Sequence, residues 1–297
     1  MVSSAGIPVP SIRSIDDPKV RTLIRLLEGY GRVIVAYSGG ADSAFLLRAA
    51  RDVLGENATG ILGISESLDR NESEAARRVA REMGIPIRTI ETREYDNPEY
   101  RKNDAERCYH CKSELFSRVA AFAAAEGVAY VLDGSNFDDL GDYRPGMRAR
   151  DEEGVKSPLQ EAGLTKEEIR RHSRTLGVPT WDKPASPCLS SRIPYGSEVT
   201  SEKLRQIEAA EAVLRALGFR ELRVRHHDQV ARIEIPPAEF VRLLDERVRQ
   251  QALDGLRKAG FLYATLDLKG FRSGSLNEAL PAAIVPAASI EILPSDR

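Results

Sequence analysis

Five residues without a breaker, Val33-Ile34-Val35-Ala36-Tyr37, run straight into Ser38-Gly39-Gly40-Ala41-Asp42-Ser43 and then Ala44-Phe45-Leu46-Leu47-Arg48. The first run is mostly β-branched and reads as a buried parallel strand; the last is apolar without β-branching and reads as a helix. The two glycines let the backbone turn sharply and approach a ligand closely. Ser38 and Ser43 supply hydroxyls, and a helix beginning near Asp42 aims its free N–H groups and positive dipole end at the turn. Such a join is a phosphate loop, and it commits the chain to strands that feed helices.

The same alternation continues. Residues 58–65 read as a second parallel strand, 71–83 as a returning helix and 85–89 as a third strand; 113–127 read as an Ala-rich helix and 129–132 as a further buried strand. We expect an α/β fold with an open, doubly wound parallel sheet, whose ligands bind beyond the carboxyl ends of the strands. Ser38 to Ser43 and Ser65 lie at such ends. Asp17-Pro18 caps a helix that carries Val20, Leu23, Ile24 and Leu27 on one face, and Thr165 with Glu168 forms a capping box for a helix through Leu176. Residues 94–108 and 157–164 read as loops, and the proline-rich reach 181–194 as a hinge.

From Ser201 the pattern changes to αββαβ: a helix over 201–217, short strands at 222–225 and 230–235, a helix over 238–258 and a strand at 262–268. This is a second, smaller α+β domain. The expected division is a flexible arm at 1–18, an ATP-binding domain at 19–190, a substrate domain at 191–275 and a tail at 276–297.

With 297 residues, 42% hydrophobic and 30% charged, the chain has room for two cores. A net charge of −2 gives no bulk attraction to nucleic acid or anionic membrane. No apolar run approaches the ~20 residues of a membrane span, and residues 1–18 lack a basic segment followed by an apolar core. The expected location is cytoplasmic. Three cysteines are too few for a disulfide framework and point to chemistry instead.

Cys108-x-x-Cys111 suits a redox pair, a zinc half-site or an iron–sulfur half-site. Cys188, in the hinge, provides a third thiol, and three thiolates can hold three irons of a [4Fe-4S] cluster. The acidic stretch from Asp133 to Asp142 reads either as a solvated loop or as Mg²⁺ ligands facing the phosphate loop. Arg223 and Arg225, two apart on a strand, project to one face, which is either a solvated edge or a phosphate grip. Taken singly, Glu211 and Glu234 read as surface acids.

GxxxxGK(S/T) is absent and no lysine follows the glycines. SGGADS instead resembles the SGGxDS signature of the PP-loop ATP pyrophosphatases, which release pyrophosphate while transferring AMP. Together with RCYHCK, DGSNFDDLGDYRPG, SPLQEAGLTKEEIR and WDKPASPCLSSRIPYG, it resembles the LarE family of sulfur-inserting enzymes of nickel-pincer nucleotide synthesis, over nearly all of residues 20 to 275.

That resemblance implies adenylylation of a carboxylate of pyridinium-3,5-biscarboxylic acid mononucleotide, followed by sulfur attack and loss of AMP. It implies ATP at Ser38, Gly39, Gly40, Asp42, Ser43 and Ser65, with Ser38, Asp42 and Cys188 as catalytic residues, and Mg²⁺ as a further cofactor. It implies substrate binding by Arg192, Arg223 and Arg225, and a metal at Glu211 and Glu234. Cys108, Cys111 and Cys188 match members that pass on a sulfide from a [4Fe-4S] cluster; the rival within the family is sacrifice of Cys188, leaving dehydroalanine. Expected partners are the nucleotide substrate, a sulfur-supplying system, a nickel-inserting enzyme that takes the product, and further copies of the chain; neither nucleic acid nor membrane is expected. Outside the family, the rivals are tRNA thiolation, ATP-dependent amidation and a non-enzymatic nucleotide-binding module.

Overall fold

The computed structural model describes residues 10–141 and 145–272. Asp142, Tyr143 and Arg144 of the DYRPG segment, the first half of the expected arm and the 276–297 tail lie outside the described residues. Among the described residues the chain divides into two compact units, one of residues 10–94 with those of 108–186, the other of residues 95–107 with 187–272.

In the first unit β1 (Val33–Ala36), β2 (Ala58–Ile64), β3 (Ile87–Glu91) and β4 (Tyr130–Leu132) form one parallel sheet in the order β3-β2-β1-β4. The order reverses at β1, which has β2 on one side and β4 on the other. The carboxyl end of β1 is therefore the switch point at which open α/β sheets take ligands.

Successive side chains of a strand point to opposite faces, and this sorts the helices. Val33 and Val35 pack into a core with α1 (Pro18–Tyr30), α2 (Ala41–Leu54), α3 (Arg70–Glu82) and, further along the chain, residues 158–176. Ile34, Ile61 and Val131 pack on the other face, against the helices of residues 107–125 and 145–152. The sheet is wound on both sides, as expected.

The expected caps form: Asp17 accepts from the Lys19 and Val20 N–H groups ahead of Pro18, and Thr165 and Glu168 cap each other's backbone. The segment from residue 10 is tied down rather than loose. Ile12 is wholly buried and donates its N–H to Asp52 at 2.8 Å, and Arg48 donates to the Pro10 carbonyl at 2.9 Å.

Residues 94–108, read as a loop, contain α4 (Pro98–Arg101), capped by Asn97, and the start of α5 (Arg107–Ala125). Two further helices were not expected: α6 (Pro145–Glu152) and the short α7 (Pro158–Glu161), ahead of α8 (Lys166–Thr175). The hinge contains only a 3-10 turn, Leu189–Arg192.

The second unit carries α9 (Ser201–Ala216), β5 (Arg223–His227), β6 (Val230–Glu234), α10 (Phe240–Leu244), α11 (Glu246–Lys258) and β7 (Tyr263–Leu266). Its sheet runs β5-β6-β7, antiparallel then parallel. The helix expected over 238–258 is broken because Asp245 takes an extended conformation and accepts from the Arg247 and Val248 N–H groups, starting α11 afresh. Val224, Ala231 and Ile233 face α9 and α11 in the core. Arg223 pairs with Glu234 and Arg225 with Arg232 across the strands, so the opposite face carries charge. Among the described residues no helix is long and apolar enough to cross a membrane.

Candidate functional site

The phosphate loop stands at the switch point. Gly40 is the N-cap of α2, with no side chain capping the helix, so the first-turn N–H groups face a ligand position. Ser38 and Ser43 lock the turn: their hydroxyls are 3.0 Å apart and the Ser38 N–H donates to the Ser43 oxygen at 3.2 Å. Gly39 is required twice over. Its φ is +73°, and a Cβ there would lie 2.4 Å from the Ala76 Cβ and 2.8 Å from the Ala76 Cα of α3. After β4 the chain packs directly on this turn, since a Cβ on Gly134 would lie 2.9 Å from the Ser43 nitrogen.

Asp42 follows with one carboxylate oxygen buried and without a hydrogen-bond partner among the described residues. Burial pushes its carboxyl pKa up and nearby Asp139 adds to the rise, against Lys166, Arg170 and a hydrogen bond from Asn136. Of the acidic stretch, Asp133 accepts from Ser135 and Ser157, and Asp139 accepts from the Asn136 N–H. A cation at Asp42 would remove the cost of the charged form there.

Ser65, at the end of β2, bonds Ser67 at 2.9 Å, and Ser67 donates to Glu94 at 2.9 Å. Glu94 is buried, and its second oxygen has no hydrogen-bond partner among the described residues. In sequence Glu94 is only the first residue of a polar loop, with no role of its own. Lys183 is equally silent there, yet its ammonium donates to the Gly39 carbonyl at 3.1 Å and pairs with Glu72 at 2.8 Å. A lysine does attend the phosphate loop, from far along the chain.

The CxxC motif stands on the first turns of α5, not in a loop. Three residues apart on a helix, Cys108 and Cys111 share a face. Cys108 is exposed and Cys111 half-buried, and neither is in a disulfide. Cys188 is also a half-buried thiol outside any disulfide; it belongs to the second unit, where it precedes the 3-10 turn. Among the described residues no three His, Cys, Asp or Glu side chains gather to hold a metal ion.

Within the second unit the expected substrate arginines and metal acids meet each other. Arg192 is buried and forks onto Glu211 at 2.8 and 3.1 Å; its Nη1 also holds the Pro187 and Cys188 carbonyls at 2.6 and 3.0 Å. Glu211, wholly buried, also accepts from Arg215 and the Val224 N–H. Arg225 donates to the Ser191 carbonyl at 2.6 Å and to Glu234 at 2.9 Å, and Arg232 also pairs with Glu234. The two acids that the resemblance gave to a metal are thus engaged by arginines, and Arg192 fixes the backbone of Cys188. Burial, then the positive charge of Arg192, pushes the Arg223 pKa down to about 10. An arginine depressed in this way by its surroundings marks a face that an anion would stabilise.

No family model matches the chain. The uncharacterized protein slr1717 of Synechocystis sp. is 45% identical over 264 residues, 89% of this chain and 98% of its own. The pyridinium-3,5-bisthiocarboxylic acid mononucleotide synthase of Lactiplantibacillus plantarum is 42% identical over 269 residues, 89% of this chain and 96% of its own. One component of the glutamine-hydrolyzing GMP synthase of Archaeoglobus fulgidus is 26% identical over 209 residues, 62% of this chain and 64% of its own, a more distant likeness that agrees with a PP-loop fold. With a phosphate loop at the switch point and a synthase matched at this identity over almost its whole length, the chain belongs to the LarE family of ATP-dependent sulfurtransferases.

Proposed function

We propose that the protein adenylylates a carboxylate of pyridinium-3,5-biscarboxylic acid mononucleotide and replaces an oxygen of that carboxylate with sulfur. The observation that carries this reading is the intact phosphate loop, with its uncapped helix start, in a chain so similar to a synthase of the bisthiocarboxylic acid. In the first step the substrate carboxylate oxygen attacks the α-phosphorus of ATP. The bond from that phosphorus to the bridging oxygen breaks, and pyrophosphate leaves with the electron pair. The N–H groups at the start of α2 and the Ser38 hydroxyl bind the phosphates, and donors fixed in advance of the charge they meet contribute about 100–1,000-fold each. Mg²⁺ fits Asp42, where a buried carboxylate oxygen lacks a partner among the described residues, and would neutralise phosphate charge there.

In the second step a sulfur nucleophile adds to the acyl carbon and the carbon–oxygen bond to AMP breaks. An unactivated carboxylate resists this addition; the adenylate supplies the leaving group. Arg223 and Arg225 bind the substrate's phosphate, and Arg192, through its grip on the Cys188 carbonyl, positions Cys188. Three reduced thiols are a donor set that fits a [4Fe-4S] cluster, so Cys108, Cys111 and Cys188 would hold it, and bound there it would supply a reloadable sulfide. In a second reading Cys188, whose carbonyl Arg192 holds at 3.0 Å, gives up its own sulfur. We assign the protein to the cytoplasm, working as an oligomer with a sulfur supplier and a nickel-inserting enzyme.

Incubation of ATP with the dicarboxylated nucleotide tests the first step, and addition of sulfide under anaerobic conditions tests the second. Pyrophosphate release that depends on the nucleotide, and a product with the mass of an oxygen-to-sulfur exchange, are expected. Thiocarboxylate formed without ATP would overturn the reading.

A further inference from the structure

We infer that Lys183 is the residue of this chain that grips the β- and γ-phosphates of ATP and the departing pyrophosphate. The inference rests on the adenylylating reading above. Its ground is geometric and lies wholly within the first unit. The Lys183 ammonium is 3.1 Å from the carbonyl of Gly39, inside the phosphate loop, and 2.8 Å from Glu72 in the first turn of α3. Among the described residues those contacts take two of its three N–H groups, leaving one directed to neither. Its side chain is 20% exposed, buried enough for the charge to be weakly screened and open enough for a ligand to reach.

The backbone is fixed as well, because Arg170 of α8 donates to the Lys183 carbonyl at 3.0 Å. Gly39 cannot move away, since its carbonyl belongs to the turn that presses on Ala76. A flexible ammonium anchored on the loop that binds phosphate is thus placed where the triphosphate must pass. Ordinary P-loops place a lysine directly after the glycines; here that position is taken by Ala41 and Asp42, and the cation comes from the segment before the hinge cysteine. When the α-phosphorus bond breaks, the electron pair goes to the pyrophosphate oxygen. Lys183 keeps its proton and stabilises that charge.

The bland alternative is an ion pair with Glu72 that merely ties residues 177–186 to α3. The two are separated by which ligand feels the loss. Titration calorimetry of the full chain with Mg²⁺ and either α,β-methylene-ATP, whose bridge cannot be cleaved by adenylyl transfer, or AMP reads this directly. We expect Lys183→Met to weaken the triphosphate analogue by about tenfold to a hundredfold, the worth of one charge-assisted hydrogen bond, and to leave AMP binding unchanged. Lys183→Arg, which keeps the charge, should hold the analogue within a few-fold of wild type and show that the site is still folded. Equal losses for both ligands, or no loss for either, would overturn the role of Lys183 and leave the adenylylating reading standing. A wild-type chain that binds neither ligand would overturn that reading and the inference with it.

Discussion

Replacing Gly39 with alanine tests how tightly the phosphate loop is built. At φ +73° an alanine stays in the left-handed region, which costs about 1–2 kcal/mol. Its Cβ would stand 2.4 Å from the Ala76 Cβ and 2.8 Å from the Ala76 Cα, well inside the usual ~3.5–4.0 Å contact. The obstacle is helix backbone rather than the end of a flexible chain, so relief must come from moving the loop or α3, at about 1–3 kcal/mol. Together the two effects total about 2–5 kcal/mol, and a loop displaced by ~1 Å loses about 100-fold in the chemical step. Gly39→Ala should therefore lower the urea midpoint and cut pyrophosphate release by at least that factor. Adding Ala76→Gly removes the shorter contact and should recover about 1 kcal/mol of coupling in a double-mutant cycle, while the left-handed strain remains. A Gly39→Ala protein with wild-type release and midpoint would refute the reasoning.

Among the described residues Arg192→Met leaves Glu211 buried with only Arg215 and the Val224 N–H; breaking such a pair costs about 3–5 kcal/mol, and with Arg215 still present the loss should fall near the lower figure by urea denaturation. An unchanged midpoint would show that the pair carries no such weight. Cys108→Ala, Cys111→Ala and Cys188→Ala should each keep pyrophosphate release; if all three lose iron, labile sulfide and thiolation the cluster reading holds, whereas loss of thiolation in Cys188→Ala alone, with dehydroalanine in the spent wild type, selects sacrifice. Although burial opposes it, hydrogen bonds from Lys19 and Thr165 hold the Glu168 carboxyl down at about 2. A carboxyl depressed on folding stabilises above its unfolded pKa of about 4.3 and loses that contribution as pH falls toward about 2, so Glu168→Gln should flatten the acid dependence of the melting temperature over that range. Parallel pH profiles for variant and wild type would contradict this.

What was legible in the sequence was local. The strand, the SGGADS turn and the helix from Ala41 are set by neighbours in the chain, as are the Asp17 and Thr165 caps, and all stand as read. What escaped depends on residues far apart. The stretch at 95–107 reads as a polar loop, yet Asn103 donates to the Ile193, Pro194 and Ser197 carbonyls at 3.2, 2.8 and 2.8 Å and so joins the second unit. The pairing of Glu211 and Glu234 with arginines escaped because nothing in a single acid says which partner the fold brings to it. Lys183 was hidden among prolines in a hinge; its one sequence signal was the missing lysine after Gly40, which left a phosphate loop in need of a cation. The break at Asp245 was readable in principle, since an aspartate followed by Glu246 is a helix start placed inside an apolar period that continues on both sides.

The central claim is that a carboxylate oxygen of the substrate bonds to the α-phosphorus of ATP before sulfur arrives. It is tested most directly with substrate whose carboxylates carry heavy oxygen, turned over anaerobically with ATP and sulfide, and the AMP examined by mass spectrometry. Heavy oxygen is expected in the phosphate of the AMP, and sulfur in its place in the product. AMP free of the label, or label appearing in inorganic phosphate beside ADP, would contradict it.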